Sequence, residues 1–253
     1  MNGKNIMYNQ QKPKIIYFES LKSTNSKIRE LHQTEKLPEF SVVFTSSQTA
    51  GRGQMGNHWE SEDNMNLTFS MLLYPDFIEI QQQFILNYII TVAIRDVLKK
   101  HIPEVKIKWA NDIYAGNKKL AGILIENSIL GASIDYSIVG IGLNVNQTVF
   151  VSDAPNPVSM KMISGQSYEL EPLLKEIMNA IIIRYIQFTE TGVAEIRNEY
   201  NLNLYRREGF FPYRDKDGDF SAEIVKIEDS GHLILVDSNG LRRKYAFKEV
   251  VFG

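Results

Sequence analysis

Two segments hold the residue types from which an anion-handling site can be built. The first is Gly51-Arg52-Gly53-Gln54-Met55-Gly56-Asn57-His58-Trp59. The second is Lys108-Trp109-Ala110-Asn111-Asp112, followed by Lys118-Lys119-Leu120-Ala121-Gly122-Ile123-Leu124. Three glycines within six residues let backbone N–H groups approach an anion with no Cβ in the way. Arg52 adds a planar fork of donors that suits a carboxylate or a phosphate. The plainer reading of the loop is a surface turn. It is not a Walker A loop, because no Gly-Lys-Ser/Thr follows, and no strand–loop–helix context makes it a dinucleotide fingerprint.

In the second segment, Lys108, Lys118 and Lys119 lie close to a run rich in β-branched residues. A lysine at a strand entrance is ordinarily a solvated edge charge. Gly122, two residues past Leu120, would let a ligand reach the strand backbone. Asn111-Asp112 reads as a turn, or, beside a polyphosphate, as a place where Asp112 helps hold Mg²⁺. A third piece is Gly140-Ile141-Gly142-Leu143-Asn144. Alternate glycines leave one face of a strand bare, for a flat ligand group or for close strand–helix packing.

The elements that must position these residues follow from periodicity. Ile15–Phe18 and Ser41–Thr45 read as strands, with a helix from Ser23 to about His32 between them, opened by capping oxygens. Asn66–Leu73 is a strand. Ile80 to about Lys100 reads as one long helix with Phe84, Tyr88 and Val92 at spacing four, stopped by Pro103. Lys106–Trp109, Leu120–Ser128 and Asp135–Val145 are strands, with a turn at Gly116-Asn117 before the second. Asn146 to Gln166 is loop-like. Leu170–Phe188 is a second long helix, Gly192 breaks it, and a short helix runs to about Asn201. From Tyr205 short strands alternate with turns at Asp217-Gly218, Ser230-Gly231 and Asn239-Gly240, the texture of a small β-barrel.

Composition narrows the function. The chain has 253 residues, 43% hydrophobic, enough for one sizeable core plus a small appended domain. A net charge of −2 provides no global basic field for nucleic acid, and the C-terminal piece carries nine basic and nine acidic residues. The absence of cysteine excludes disulfides, Cys-ligated zinc and thioester chemistry on the protein, and fits a reducing cytoplasm. No apolar run is long enough to span a membrane. Residues 1–14 read as a flexible tail, without the apolar stretch of a signal peptide and too short for a helix-turn-helix. Asn66-Leu67-Thr68 matches a glycosylation sequon, silent without secretion. The histidines lack metal-ligand spacing. Asp215-Lys216-Asp217-Gly218-Asp219 departs from a calcium loop, with Phe220 at the required glycine, and reads as a hairpin turn.

The order of Ser23-Thr24-Asn25, Gln48, Gly51-Arg52-Gly53, Trp59, Lys108-Trp109-x-Asn111-Asp112, Lys119 to Leu124 and Gly140 to Asn144 resembles that of biotin–protein ligases (biotin–[acetyl-CoA-carboxylase] ligases). The motifs cover about residues 15–165, and the second helix and C-terminal piece match by architecture. The resemblance implies an α+β fold: a mixed β-sheet flanked by helices, like a class II aminoacyl-tRNA synthetase core, over residues 15–203, and an SH3-like barrel over 204–253. It implies a two-step reaction. Biotin and ATP with Mg²⁺ give biotinyl-5′-AMP, and a lysine of a biotin carboxyl carrier protein domain then takes the biotin. It implies that Ser23, Thr24, Asn25, Gln48 and the Gly122 backbone hold the polar part of biotin. Arg52, Gly53, Gln54 and Lys119 would surround the carboxylate and α-phosphate. Trp59, Asn111, Asn144 and Lys108 would border the nucleotide, the Pro155–Ser159 loop would close its adenine side, and Asp112 would meet Mg²⁺. Arg52, Lys119 and Asp112 form the catalytic set.

Gln54 and Asn57 stand where many bacterial members have basic residues, with packing by Gln54 and Met55 as the expected compensation, and Ala110 replaces a common proline. Regulatory members carry an N-terminal DNA-binding domain, which this sequence does not show, so the expectation is a ligase without repressor function or DNA partner. Two alternatives stay open: a lipoate–protein ligase sharing the adenylate chemistry, and a non-catalytic binding module, which would have no need of both Arg52 and Lys119. A homodimer through an exposed sheet edge is a further expectation.

Overall fold

The computed structural model describes residues 12–152 and 155–253. Most of the expected N-terminal tail lies outside the described residues.

Strand β1 (Ile15–Leu21) leads into helix α1 (Thr24–Glu35). Ser23 caps α1 by accepting from the Ser26 N–H, and Lys36 ends it in the left-handed region at φ 52°. Strands β2 (Val42–Gln48), β3 (Leu67–Leu73), β4 (Val105–Lys108), β5 (Asp112–Ala115), β6 (Lys118–Leu130) and β7 (Ser133–Leu143) complete a seven-stranded sheet, ordered β1-β2-β3-β7-β6-β5-β4. Only β1 and β2 pair in parallel; the remaining pairs are antiparallel. All seven residues of β3 are buried, because the sheet is covered on both faces.

One face carries α1, which packs Ile28 against Val43, Leu72 and Ile138. The other carries α2 (Ile85–Leu98), over which lie α4 (Leu170–Thr191) and α5 (Val193–Leu202). Helix α2 is therefore apolar nearly all round, with Leu86, Ile89, Ile90, Ala93 and Ile94 fully buried. Arg184 of α4 ties the layer together, reaching Asp96 at 2.5 Å and Glu199 at 2.9 Å. Burial alone would raise the Asp96 carboxyl, but the hydrogen bonds of Lys99 and Arg184 hold it below its usual range.

Three expectations change. The single helix from Ile80 becomes a 3-10 turn (Ile80–Gln82) followed by α2, because the turn has no buried face to hold a helix against the core. The loop from Asn146 to Gln166 contains α3 (Met160–Ser164), capped by Ser159 and ended by Gly165 at φ 75°. Strand β5 replaces part of the stretch read as a turn at Asn111-Asp112.

The C-terminal piece is an antiparallel sheet of β8 (Phe211–Asp215), β9 (Gly218–Ile227), β10 (Leu233–Asp237), β11 (Arg242–Tyr245) and β12 (Val251–Phe252), ordered β11-β10-β9-β8-β12. The three expected turns join its strands. The expected barrel is not closed among the described residues: β11 and β12 remain edges, and β12, two residues long, is spent on pairing with β8. The sheet shares one hydrophobic core with α2 and α5. Polar ties reinforce that joint: the Trp109 Nε1–H donates to Gly231 O at 2.9 Å, and the Tyr88 hydroxyl donates to Glu228 O at 3.0 Å.

Candidate functional site

A cavity of about 580 Å³ opens where the start of α1, the glycine-rich loop, β5–β6 and the end of β7 converge. Among its lining residues are Ser23, Thr24, Asn25, Gln48, Arg52, Gly53, Gln54, Trp59, Asn111, Asp112, Lys119, Gly122 and Asn144. Of the residues singled out from sequence, Lys108 is missing from this wall. Its amine donates to the Tyr114 hydroxyl at 3.0 Å and lies 5.2 Å from the Phe252 ring centroid, turned toward the C-terminal sheet. Burial lowers its pKa, with Asp112 opposing. The expectation of Lys108 as a nucleotide contact is corrected on geometry: Lys108 lies directly across from Asp112, on the same face of the sheet, but its amine is taken up by Tyr114 rather than lining the cavity.

The wall from α1 is a chain of hydrogen bonds. The Thr24 N–H donates to Gln48 Oε1 at 2.9 Å. The buried Ser70 hydroxyl lies 2.7 Å from Thr24 Oγ1 and donates to Asn25 Oδ1 at 2.5 Å. Asn25 in turn donates from Nδ2 to Glu126 Oε2 at 2.8 Å. These polar groups are fixed before any ligand arrives, which is what specific recognition requires.

The glycine-rich loop is a small hairpin. Trp59 N donates to Gly51 O at 3.0 Å and Gly53 N to Asn57 O at 2.7 Å, bracketing the Arg52–His58 bridge. A Cβ on Gly51 would stand 2.5 Å from Trp59 O, so the closure requires glycine. The Met55 side chain lies outside the described residues.

The bare face predicted at Gly140 and Gly142 is occupied by the protein itself. A Cβ on Gly142 would overlap the Trp59 indole, and one on Gly140 would overlap the Asn25 carboxamide. At Gly140 the close strand–helix packing reading holds; at Gly142 a flat group does lie on the strand, and it is the indole. The buried Trp59 Nε1–H has no hydrogen-bond partner among the described residues, a donor left for a ligand acceptor or a water.

Across the cavity, Lys119 Nζ pairs with Asp112 Oδ1 at 2.7 Å and lies 5.8 Å from the Trp59 ring centroid. Asn111 is buried and donates to Ile123 O; Asn144 donates to Val158 O at 3.1 Å. Both asparagines hold backbone: Asn144 fastens the segment after Pro157, whose backbone also bridges Lys119. Among the described residues no three His, Cys, Asp or Glu side chains form a metal-binding group.

Sequence reasoning missed Glu126, Phe247 and Glu60. Glu126 accepts from Arg52 and Arg29, each at 3.2 Å. Its signal was the two-residue alternation from Gly122 through Leu124, which puts it on the same strand face. Phe247 enters the wall from the C-terminal sheet. Glu60 accepts from the N–H groups of Val151 and Ser152, fixing the loop that carries Phe150 over the cavity; nothing local in sequence signals either.

Comparison with known proteins fits this geometry. The family described as "Biotin/lipoate A/B protein ligase family" matches residues 17–144. The bifunctional ligase/repressor BirA of Bacillus subtilis is 29% identical over 241 residues, covering 92% of this chain and 72% of the relative. The biotin–[acetyl-CoA-carboxylase] ligase of Paracoccus denitrificans is 28% identical over 218 residues, covering 83% of this chain and 90% of the relative. The structure of a biotin protein ligase from Aquifex aeolicus in complex with biotin and ATP superposes with a TM-score of 0.77 at 23% identity, covering 95% of this chain and 99% of that one. At that identity the superposition speaks for the fold: a mixed sheet flanked by helices.

Proposed function

The chain belongs to the biotin/lipoate A/B protein ligase family, and on that footing we propose that it is an ATP-dependent ligase that activates biotin and attaches it to a carrier-protein lysine. In the first step the biotin carboxylate oxygen bonds to the α-phosphorus of ATP, the bond to the β-phosphate oxygen breaks, and pyrophosphate leaves. In the second, the neutral lysine ε-amine attacks the acyl carbon of biotinyl-5′-AMP, AMP leaves, and the amine proton passes to solvent.

One observation carries the reading: two cations, Arg52 and Lys119, line a single cavity together with the preordered polar start of α1. Bringing a carboxylate to a triphosphate requires neutralisation of both anions, and positioning does most of the remaining work. In this reading Ser23, Thr24, Asn25 and Gln48 take the polar ring of biotin with the Gly122 backbone. Arg52, Gly53, Gln54 and Lys119 take the carboxylate and α-phosphate. Trp59 borders the nucleotide, and Asn111 and Asn144 shape the backbone around it.

Asp112 offers one carboxylate, already paired with Lys119. That donor set fits a Mg²⁺ carried mainly by substrate phosphates. When bound, the ion would screen phosphate charge.

The acceptor in this reading is a biotin carboxyl carrier domain, and the cytoplasm, where ATP is supplied, is the compartment. The catalytic unit spans 15–203, and the C-terminal sheet, 204–253, is an SH3-like barrel opened along one seam. Its entry into the cavity through Phe247 supports a part in the reaction. A homodimer through the free edge of β1 completes the reading.

Pyrophosphate release from ATP-Mg²⁺ with biotin or with lipoate, in wild type and Arg52→Ala, tests it. Biotin-dependent release that falls in the variant is expected. Release with lipoate alone would transfer the assignment to the lipoate branch, and release with neither would leave a binding module.

A further inference from the structure

The two cations of the cavity are not together. Lys119 Nζ lies 3.5 Å from where a Cβ on Gly122 would stand. The Arg52 guanidinium sits instead at Glu126, four residues further along β6. Four residues of strand span about 13 Å. Arg52 is therefore paired well along the strand from the amine with which, in the proposed reading, it acts.

We propose that Glu126 is a positioning residue that holds Arg52 in a resting place and releases it to an anionic substrate. The inference rests on the biotin-activating reading for the identity of that anion, and otherwise on the contacts alone.

Glu126 is itself held from α1. One oxygen, Oε2, accepts from Asn25 Nδ2 at 2.8 Å and Arg29 Nη2 at 3.2 Å, both rooted in α1. Asn25 is fixed in turn by the buried Ser70. Arg52 is the third donor to the same oxygen, at 3.2 Å, and it alone comes from the glycine-rich loop. Its only other hydrogen bond among the described residues is a long one, 3.4 Å to Ser26 Oγ. The Arg52 side chain is 43% exposed, so its pair with Glu126 is a weak, screened one.

A substrate carboxylate or phosphate offers a bidentate, charge-assisted partner in a drier place and outcompetes it. An arginine swinging about its own Cα covers much of the gap to Lys119. Fixed anchor, shared oxygen and mobile third donor are the parts such an exchange needs.

The test is a double-mutant cycle on wild type, Glu126→Gln, Arg52→Ala and the double variant, with inorganic pyrophosphate titrated against intrinsic tryptophan fluorescence, Trp59 being in the wall. Glu126→Gln keeps an acceptor for Asn25 and removes the charge facing Arg52. Pyrophosphate should bind about two- to fivefold more tightly to it, the range an exposed ion pair allows. The same substitution in the Arg52→Ala background should change nothing. The KM for biotin should fall in the same order, with kcat moving less. Glu126→Asp, which keeps the charge but withdraws it from the loop, should shift affinity in the same direction by less.

Unchanged or weaker pyrophosphate binding in both Glu126 variants overturns the proposal. So does an equal shift with Arg52 absent, which marks a merely structural effect, and so does no binding to any of the four proteins. Failure of the biotin assignment shows separately, as wild type that binds pyrophosphate in this pattern yet releases none with biotin and ATP.

Discussion

Lys119 Nζ meets Asp112 Oδ1 at 2.7 Å across neighbouring strands β5 and β6, with both side chains about three-quarters buried. The bulge between Ile113 and Tyr114 makes this possible: it shifts the register so that Asp112 lies opposite Gly122 while Lys119 pairs with Tyr114. Asp112 thus holds the amine near Gly122, beside the edge of the Trp59 indole. The pair is placed for positioning a cation, and its loss should appear in turnover.

Lys119→Ala should lower kcat for biotin-dependent pyrophosphate release by about 10²- to 10³-fold, the usual effect of removing one preorganised charge donor. Lys119→Arg should restore little, because a planar fork cannot take the place of a compact ammonium against Gly122. Thermal melting checks that the fold survives. Turnover within threefold of wild type in the alanine variant would remove Lys119 from the reaction.

Gly142 is a packing test of the same wall. Gly142→Ala forces a methyl into the Trp59 indole, and overpacking of this kind costs about 1–3 kcal/mol. The indole should move into the cavity, with a changed Trp59 emission maximum and a biotin affinity lowered at least tenfold. The spectral change is read against Trp59→Phe, since Trp109 also emits. An alanine variant with wild-type emission and affinity would show that the indole does not need the bare strand.

How much of this was legible in the sequence follows from the range of the forces. Helices α1 and α4, the sheet strands other than β5 and the C-terminal turns are written in local period and caps, and they stand within a few residues of expectation. The cavity residues were legible where glycine, arginine and lysine fall close along the chain. For Lys108 the sequence shows nearness to Asp112, its cross-strand partner, but not that Tyr114 takes its amine. Glu126 was missed because its partners, Asn25, Arg29 and Arg52, come from segments far along the chain. Phe247 belongs to a loop whose docking depends on tertiary contacts with Trp109, 6.0 Å between ring centroids.

His32 gives the layer of α1 a pH dependence. Its ring lies edge-on to Tyr136 and Tyr74, and burial, then the charge of Lys36, hold its pKa below the usual 6.5, with Asp135 pulling the other way. The unfolded chain therefore takes up this proton first as pH falls. The contribution of the neutral ring is present in full above 6.5 and is lost as pH drops from there through the folded-state value. His32→Phe should flatten the fall in melting temperature between about pH 7.5 and pH 5.5. Equal slopes for the two proteins would mean that His32 titrates alike folded and unfolded.

Trp109 links the cavity to the C-terminal sheet. Its indole N–H donates to Gly231 O, while Tyr200, fully buried, donates its hydroxyl to Ala110 O at 3.0 Å from the other side. These two bonds fix the backbone immediately before Asn111 and Asp112, so the C-terminal sheet bears on the site through the position of Asp112. Trp109→Phe keeps an aromatic filler but leaves the Gly231 carbonyl without its donor, at a cost of about 1–3 kcal/mol. The expected outcome has two parts: faster proteolytic cleavage between residues 203 and 233, and a KM for ATP raised severalfold with Lys119-dependent chemistry retained. Raised cleavage with unchanged kinetics would mean that the sheet only stabilises the core, and the idea of its bearing on Asp112 would fall.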